Sequence, residues 1–179
     1  MCRHLAYLGP ATTLRSVIID PPDGLYRQAW APRWQRHGTV NADGFGVGWY
    51  APGDPDPARY RRAEPIWGDE SFADVARVTR SSAVLAAVRC ATADTVRALR
   101  AAGVTGRFNF LLTDGQVIAA TAAGDTLWHR LFGPAVVVAS EPSDDEPGWT
   151  EVPDHSAVAA TARCVRVTGL TSDERIAIP

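Results

Sequence analysis

The cysteine at position 2 is the residue whose place in the chain most directly suggests a reaction. Cys2 follows Met1, and small second residues permit removal of the initiator methionine. Removal would leave a thiol and a free α-amine on one residue, and such an amine titrates at a pKa of about 7.7–8.0. A neutral amine can accept the thiol proton, directly or through one water, so that the thiolate attacks an amide carbonyl. The position predicts an N-terminal nucleophile that forms a thioester; the alternative is an incidental cysteine near a terminus.

Two other segments carry polar side chains suited to holding a substrate. They are His37-Gly38-Thr39-Val40-Asn41-Ala42-Asp43-Gly44-Phe45-Gly46-Val47-Gly48-Trp49 and Val88-Arg89-Cys90-Ala91-Thr92. Aspartate before glycine favours a tight turn that tolerates positive φ, and alternating glycines let other backbone or a small substrate come close. A guanidinium at the end of a buried strand suits bidentate binding of a carboxylate. Taken alone, these residues also fit a glycine-rich turn and an exposed strand end.

The composition of the 179 residues excludes several classes of protein. All 18 basic residues are arginine, so there is no lysine for a Walker-type phosphate site or a Schiff base. A net charge of −2 gives no nucleic-acid footprint, and no apolar run approaches the roughly 20 residues that span a bilayer. Three scattered cysteines and four histidines lack CxxC and HExxH spacing, which argues against zinc. We therefore expect a cytoplasmic protein that uses no metal and no cofactor.

The elements predicted from the sequence indicate a layered α+β domain. Strands are predicted over Arg3–Gly9, Phe45–Tyr50, Arg59–Arg62, Ser82–Arg89, Thr126–Arg130, Val136–Ser140 and Arg163–Thr168, with a hairpin of Phe108–Thr113 and Gln116–Thr121. Helices are predicted from Thr12 or Thr13 to Ile19, after a Ser71 cap, and from Asp94 or Thr95 to Gly103. Residues 25–44 are predicted as a loop, whose Arg27, Arg33 and Arg36 are either solvated or placed to meet an acidic substrate. No repeat or linker interrupts the chain, so we expect a single domain over residues 1–179.

The chain resembles class II glutamine amidotransferases, a family of N-terminal nucleophile hydrolases. The resemblance is carried by Met1-Cys2-Arg3-His4-Leu5-Ala6-Tyr7-Leu8-Gly9 and by the two segments above. Six more segments are similar to the γ-glutamyl hydrolases of ergothioneine biosynthesis: Pro22-Asp23-Gly24-Leu25, Trp30-Ala31-Pro32-Arg33, Ile66-Trp67-Gly68-Asp69, Leu111-Leu112-Thr113-Asp114-Gly115, Gly124-Asp125-Thr126-Leu127-Trp128 and Ala139-Ser140-Glu141-Pro142. The resemblance extends over nearly the whole chain, and the segments are specific when taken together.

This resemblance implies a four-layer α-β-β-α fold and a set of site residues. It implies Cys2 as the nucleophile and Arg89 as the residue that holds the α-carboxylate of the glutamyl group. His37, Asn41, Asp43, Gly44 and Thr92 are the residues that it places around the substrate. The implied substrate is the small molecule γ-glutamyl-hercynylcysteine S-oxide, with no nucleic-acid or membrane partner; the oligomeric state is left open.

One expected segment is missing between Thr92 and Asp94. Members of the family carry a long stretch there, with a Ser-His-Asn-Gly motif that forms the oxyanion hole and an Asn-Asp-Ser motif that meets the substrate amine. The asparagines of this chain are Asn41 and Asn109, and neither precedes glycine. A deletion, a shortened sequence and a diverged relative are all compatible with this gap.

The missing motif leaves three functions open. Removal of one oxyanion donor costs about 10²–10³ in turnover, so a catalytically silent domain that binds γ-glutamyl compounds is one alternative. A glutaminase that supplies ammonia to a partner synthase is another. The γ-glutamyl hydrolase is the function that we expect.

Overall fold

The structure is a computed structural model, and it describes residues 2–34, 40–88 and 109–170. Within these ranges the chain forms eleven strands and three α-helices. The strands are β1 (Arg3–Thr13), β2 (Phe45–Tyr50), β3 (Pro57–Arg62), β4 (Arg80–Val88), β5 (Leu111–Thr113), β6 (Ile118–Ala122), β7 (Trp128–Phe132), β8 (Ala135–Ala139), β9 (Thr150–Glu151), β10 (Ser156–Ala160) and β11 (Val165–Gly169). The helices are α1 (Leu14–Ile18), α2 (Leu25–Gln28) and α3 (Glu70–Val78). None of these helices is long and apolar enough to cross a membrane.

The strands form two antiparallel sheets of unequal width. The large sheet has seven strands in the order β3-β2-β4-β1-β8-β7-β9, and the small sheet has four in the order β11-β10-β6-β5. The first strand of the chain is thus the central strand of the large sheet. Its neighbours are β4 and β8, and both pairings are antiparallel.

Side-chain alternation along β1 divides the core into two parts. Leu5 and Tyr7 pack with the three helices on one face of the large sheet. Ala6 and Leu8 pack against the small sheet on the other face. The described residues therefore form helix, sheet and sheet layers in the expected order. The helix predicted from Asp94 or Thr95 lies outside the described residues.

The small sheet faces only part of the large one. Its edge strand β5 lies against β1 and β4, whereas β2 and β3 have no comparable contact with the small sheet in the described residues. The turn before β6 does reach the end of β2, where Gly115 lies beside the ring of Tyr50. One half of the inner face of the large sheet is consequently core, and no described residue of the small sheet covers the other half.

Several local predictions are correct. The predicted Phe45–Tyr50 strand is β2, and it pairs with β3 as expected. Thr13 caps α1 by accepting a hydrogen bond from the backbone N–H of Ser16 at 3.1 Å. The β5–β6 hairpin forms around Gly115, which has a φ of +92°.

Other local predictions are wrong. The cap of α3 is Asp69 rather than Ser71, because the Asp69 carboxylate accepts hydrogen bonds from the backbone N–H of Phe72 at 3.1 Å and from the hydroxyl of Tyr60 at 2.7 Å. The predicted loop contains α2, and β9 and β10 were not predicted at all. These are short elements that tertiary contacts select over local propensity.

Candidate functional site

Cys2 lies at one end of the large sheet, where the ends of three strands meet. It directly precedes β1, its side chain is exposed, and its thiol is free. Val88, the last residue of β4, pairs both with Arg3 at the start of β1 and with Phe45 at the start of β2. The turn of Asp43 and Gly44 therefore reaches the same sheet end as Cys2.

The end of β8 completes this part of the sheet. The backbone N–H of Ser140 donates to the carbonyl of His4 at 3.0 Å, and the backbone N–H of His4 donates to the Ser140 hydroxyl at 3.1 Å. These two bonds fix the first residues of β1 against the chain that leaves β8. The backbone next to Cys2 is thus held on one side by β4 and on the other by Ser140.

Arg3 and Glu141 are buried charged residues near the sheet end that holds Cys2. Arg3 follows Cys2 in the sequence, and Glu141 follows Ser140, which is bonded to His4. Arg3 is 2% exposed and Glu141 is 1% exposed. Burial lowers the pKa of the Arg3 guanidinium, and the nearby carboxylates of Glu141 and Asp125 oppose that shift. Burial also raises the pKa of Glu141, and the opposing influences include Arg3 and the hydrogen bonds that its carboxylate accepts from backbone N–H groups. Each charge therefore partly offsets the cost of burying the other.

Glu141 also ties the chain after α2 to the sheet. Its Oε2 accepts hydrogen bonds from the backbone N–H groups of Arg33 at 2.9 Å and Trp34 at 2.6 Å. The sequence analysis did not assign Arg3 or Glu141 to the site. The available signal was that Arg3 and Glu141 each lie in a segment similar to the family, although these two segments are far apart in the sequence.

His4 is buried next to Cys2 and is uncharged at neutral pH. Burial, assisted by the positive charge of Arg3, lowers the pKa of His4 to about 4. Its Nε2 has no hydrogen-bond partner among the residues that the structure describes. Successive side chains of β1 alternate between the two faces of the large sheet, so His4 lies on the same face as Ala6 and Leu8. The same alternation, extended by two residues, puts Cys2 on that face.

The Asp43–Gly44 turn lies on the other side of β4 from Cys2, and its second position has no room for a side chain. Gly44 has a φ of +131°, and a Cβ on it would lie 2.5 Å from the carbonyl oxygen of Arg62. The predicted positive φ thus occurs at Gly44. Asn41 precedes this turn and is 1% exposed; its backbone N–H donates to the carbonyl of Ala29 at 2.6 Å. Neither polar atom of its side-chain amide has a hydrogen-bond partner among residues 2–34, 40–88 and 109–170.

The structure brings Cys2, Asp43 and Gly44 to one end of the large sheet, with Asn41 just before that turn. His37, Arg89 and Thr92 lie outside the described residues, so their places stay predictions. Two arginines of the predicted loop are engaged with carboxylates. Arg33 pairs with Asp23 and, at 2.8 Å, with Asp145, while Arg27 lies 3.9 Å from Asp23. In residues 2–34, 40–88 and 109–170 no group of three or more His, Cys, Asp or Glu is placed to hold a metal ion.

A cavity of about 710 Å³ opens beside the Asp43–Gly44 turn. It lies over the half of the large sheet that the small sheet leaves open. Strands β2 and β4 form its floor, and β3 contributes arginines to its wall. The alternating glycines predicted that other backbone comes close to Gly46 and Gly48, and this prediction is wrong for the described residues. A Cβ added to either glycine would lie no closer than 3.6 Å to any described atom. These glycines open onto the cavity.

Known proteins resemble this chain both in sequence and in structure. No model of a protein family matches the chain. It is 35% identical to a γ-glutamyl-hercynylcysteine sulfoxide hydrolase of Mycobacterium tuberculosis, over 95% of this chain and 97% of the relative. It is 38% identical to the protein of that name from Mycolicibacterium smegmatis, over 95% of this chain and 100% of the relative. These alignments span 228 and 231 positions, whereas this chain has 179 residues, so the relatives contain stretches that it lacks.

Two solved structures share the fold. A glutamine aminotransferase class-II domain protein from Silicibacter pomeroyi superposes with a TM-score of 0.65 at 20% identity, over 95% of this chain and 100% of that one. The glutamine phosphoribosylpyrophosphate amidotransferase of B. subtilis gives a TM-score of 0.63 at 12% identity, over 96% of this chain and 50% of that one. At these identities the likeness establishes the fold. The α+β fold expected from the sequence is confirmed.

Proposed function

Because the chain belongs to the family of γ-glutamyl-hercynylcysteine sulfoxide hydrolases, we propose that it hydrolyses the γ-glutamyl amide bond of γ-glutamyl-hercynylcysteine sulfoxide. The products are glutamate and hercynylcysteine sulfoxide. The observation that carries this proposal is the exposed, free thiol of Cys2 at the sheet end that also holds the Asp43–Gly44 turn. A cytoplasmic location for the reaction stays a prediction.

The reaction proceeds in two steps at Cys2. After removal of Met1, the α-amine of Cys2 accepts the thiol proton, and Sγ attacks the amide carbonyl carbon. The C–N bond then breaks, and the departing amine takes the proton from the α-ammonium group. A water molecule, deprotonated by the same amine, attacks the thioester and releases glutamate with the thiol restored. No metal or cofactor enters this scheme.

The surrounding residues hold the substrate. We assign the α-carboxylate of the glutamyl group to Arg89, which follows Val88 in the sequence; the pairing of Val88 with both Arg3 and Phe45 supports this assignment. Asn41 contributes a buried amide whose donor and acceptor atoms have no partner in the described part of the chain. Such a group costs free energy when left unpaired, which supports a role in binding. His37, Asp43, Gly44 and Thr92 complete the pocket in this proposal.

Glutamate release tests the proposal directly. We expect Cys2→Ser to lower the rate of release from γ-glutamyl-hercynylcysteine sulfoxide by about 10³-fold or more, since the thiol is the nucleophile. Cys164→Ser is the matched control, because Cys164 is also an exposed free cysteine and lies in the β10–β11 turn. Intact mass should show that Met1 is absent from the active protein.

Each alternative gives a different result. Equal background rates in the parent and Cys2→Ser would leave a domain that binds γ-glutamyl compounds without turnover. Release of glutamate from glutamine but not from the sulfoxide substrate would favour the glutaminase. Retention of Met1 in a protein with full activity would contradict the role of the α-amine.

A further inference from the structure

An open trough crosses the large sheet on the face turned toward the small sheet, and we propose that it binds the part of the substrate that leaves when the amide bond is cut. The arginine trough, as we call it, is formed by Gly46, Gly48, Arg59, Arg61, Leu85 and Ala87. The inference rests on the proposed function and extends it, because it assigns recognition of an anionic leaving group to Arg61 and Arg59.

The strand register joins the trough to the site of Cys2. His4 pairs with Ala87 across β1 and β4. Ala87 pairs in turn with Gly46, and Gly46 with Arg61. Between His4 and Arg61, the side chains in this row are therefore only the methyl group of Ala87 and the hydrogen atom of Gly46. Three strand spacings separate its ends, which is about 14 Å, a length suited to an extended compound of two amino-acid units.

The glycines of the trough are not required by the fold. Neither Gly46 nor Gly48 has a positive φ. An added Cβ would meet its nearest neighbours at 3.6 Å from Gly46 and 3.7 Å from Gly48, which are ordinary contacts. Glycine within a strand costs backbone entropy and offers no side chain to pack. An unobstructed floor for a ligand accounts for both positions, whereas backbone conformation and packing against the described residues do not.

The charge of the trough favours an anion. In the part of the chain that the structure describes, the guanidinium groups of Arg59 and Arg61 have no hydrogen-bond or ion-pair partner, and both side chains lie on the same face of β3. The next residue, Arg62, points to the other face and bonds the Asp69 carboxylate at 3.2 Å. Asp43 is the carboxylate at the mouth of the trough. Two guanidinium groups thus face an apolar floor, an arrangement that binds carboxylates.

The leaving group has chemistry that suits this site. The hercynylcysteine sulfoxide half carries a carboxylate on each of its two amino-acid units and a trimethylammonium group on its hercynyl unit, so its net charge is −1 while the amide bond is intact. The carboxylates are the groups that we assign to the arginines of the trough. The glutamyl half carries one α-carboxylate, already assigned to Arg89. The cavity of about 710 Å³ is much larger than a glutamyl group needs. With the scissile bond at Cys2, the leaving half extends along the row of Ala87 and Gly46 toward Arg61.

Two substrates separate this inference from the function on which it rests. γ-Glutamyl-hercynylcysteine sulfoxide has an anionic leaving group, and γ-glutamyl-p-nitroanilide has a neutral one with the same glutamyl half. We expect Arg61→Gln to lower kcat/KM about tenfold more for the first substrate than for the second, since a charge-assisted hydrogen bond is lost. Gly48→Ala should act in the same direction by narrowing the floor. Arg166→Gln, an exposed arginine on β11, is the matched control and should leave both substrates unchanged.

Calorimetric titration with hercynylcysteine sulfoxide provides a readout independent of turnover. Arg61→Gln should weaken its binding about tenfold, and Arg166→Gln should not. Equal losses of kcat/KM for both substrates would mean that Arg61 holds the glutamyl half, and unchanged kinetics and binding would mean that it holds neither; either result overturns the inference. If the parent cleaves neither substrate, the proposed function fails, and the calorimetric difference between the two variants still decides whether the trough binds this compound.

Discussion

The inner face of the large sheet has two halves with the same strand geometry. One half packs as hydrophobic core, and the other lines the cavity. On β1 and β8, inward residues such as Ala6, Leu8, Val136 and Val138 are at most 3% exposed and pack against the small sheet. On β2 and β3, the inward residues are glycine and arginine, and no sheet of the described chain covers them. Side-chain chemistry, rather than backbone form, therefore distinguishes core from cavity.

The boundary between these halves runs along β4. Ala83 belongs to the buried core, whereas Leu85 and Ala87 line the cavity. A single strand thus passes from one environment to the other within five residues. Substitutions on the two sides of this boundary should have measurably different effects on stability and on ligand binding.

The largest difference is expected for two leucines on neighbouring strands. Leu8→Ala should lower the free energy of unfolding by about 2–5 kcal/mol, because it leaves a void in a closed core. Leu85→Ala should cost about 1 kcal/mol, since Leu85 is only partly buried and loses less surface burial. Urea unfolding at constant m-value measures both. Equal losses would show that the face over β4 is closed.

A second difference concerns the pH dependence of stability at the boundary residue His4. The pKa of His4 is about 4 in the folded chain and 6.5 in the unfolded one. Below pH 6.5 the unfolded chain therefore binds a proton that the folded chain does not, and stability falls by roughly 3 kcal/mol as the pH reaches 4. His4→Gln should remove this contribution, whereas the exposed His155→Gln should retain it. The same pH slope in His4→Gln and the parent would show that water reaches His4 along the trough.

The smallest difference is expected for two glycines that flank Phe45 and Val47. Gly44→Ala should cost about 1–3 kcal/mol, because the positive φ and the Arg62 carbonyl oppose a side chain. Gly48→Ala should be neutral or stabilise by up to about 1 kcal/mol, since it restricts the unfolded chain and meets no close atom. Thermal unfolding compares the two variants. A penalty at Gly48 as large as that at Gly44 would mean that the trough is filled.

Sequence patterns correctly predicted those elements that are specified by residues close together in the chain. Alternation identified β2, and a threonine cap identified the start of α1. β10 was missed because Ser156–Ala160 consists mostly of small residues without polar alternation, and it forms by pairing with β6 and β11. Asp69 and Ser71 are both good capping residues, and only the tertiary bond from Tyr60 distinguishes them.

The same limit applies to the site. Cys2 and the Asn41–Gly44 turn were predicted from short motifs, because each motif contains its own chemistry, and their roles stay predictions. Arg3 and Glu141 lie 138 positions apart in the sequence, so no local pattern could pair them. The role proposed for Arg61 depends on the register of three strand pairs, which is a property of the assembled sheet.

The central place of β1 has a consequence for the order of assembly. Its hydrogen-bonding partners β4 and β8 come much later in the sequence, and such long-range pairing forms slowly. The middle of the large sheet therefore closes only after most of the chain is available. The sheet end beside Cys2 takes its final geometry late in folding, because it needs both of these partners.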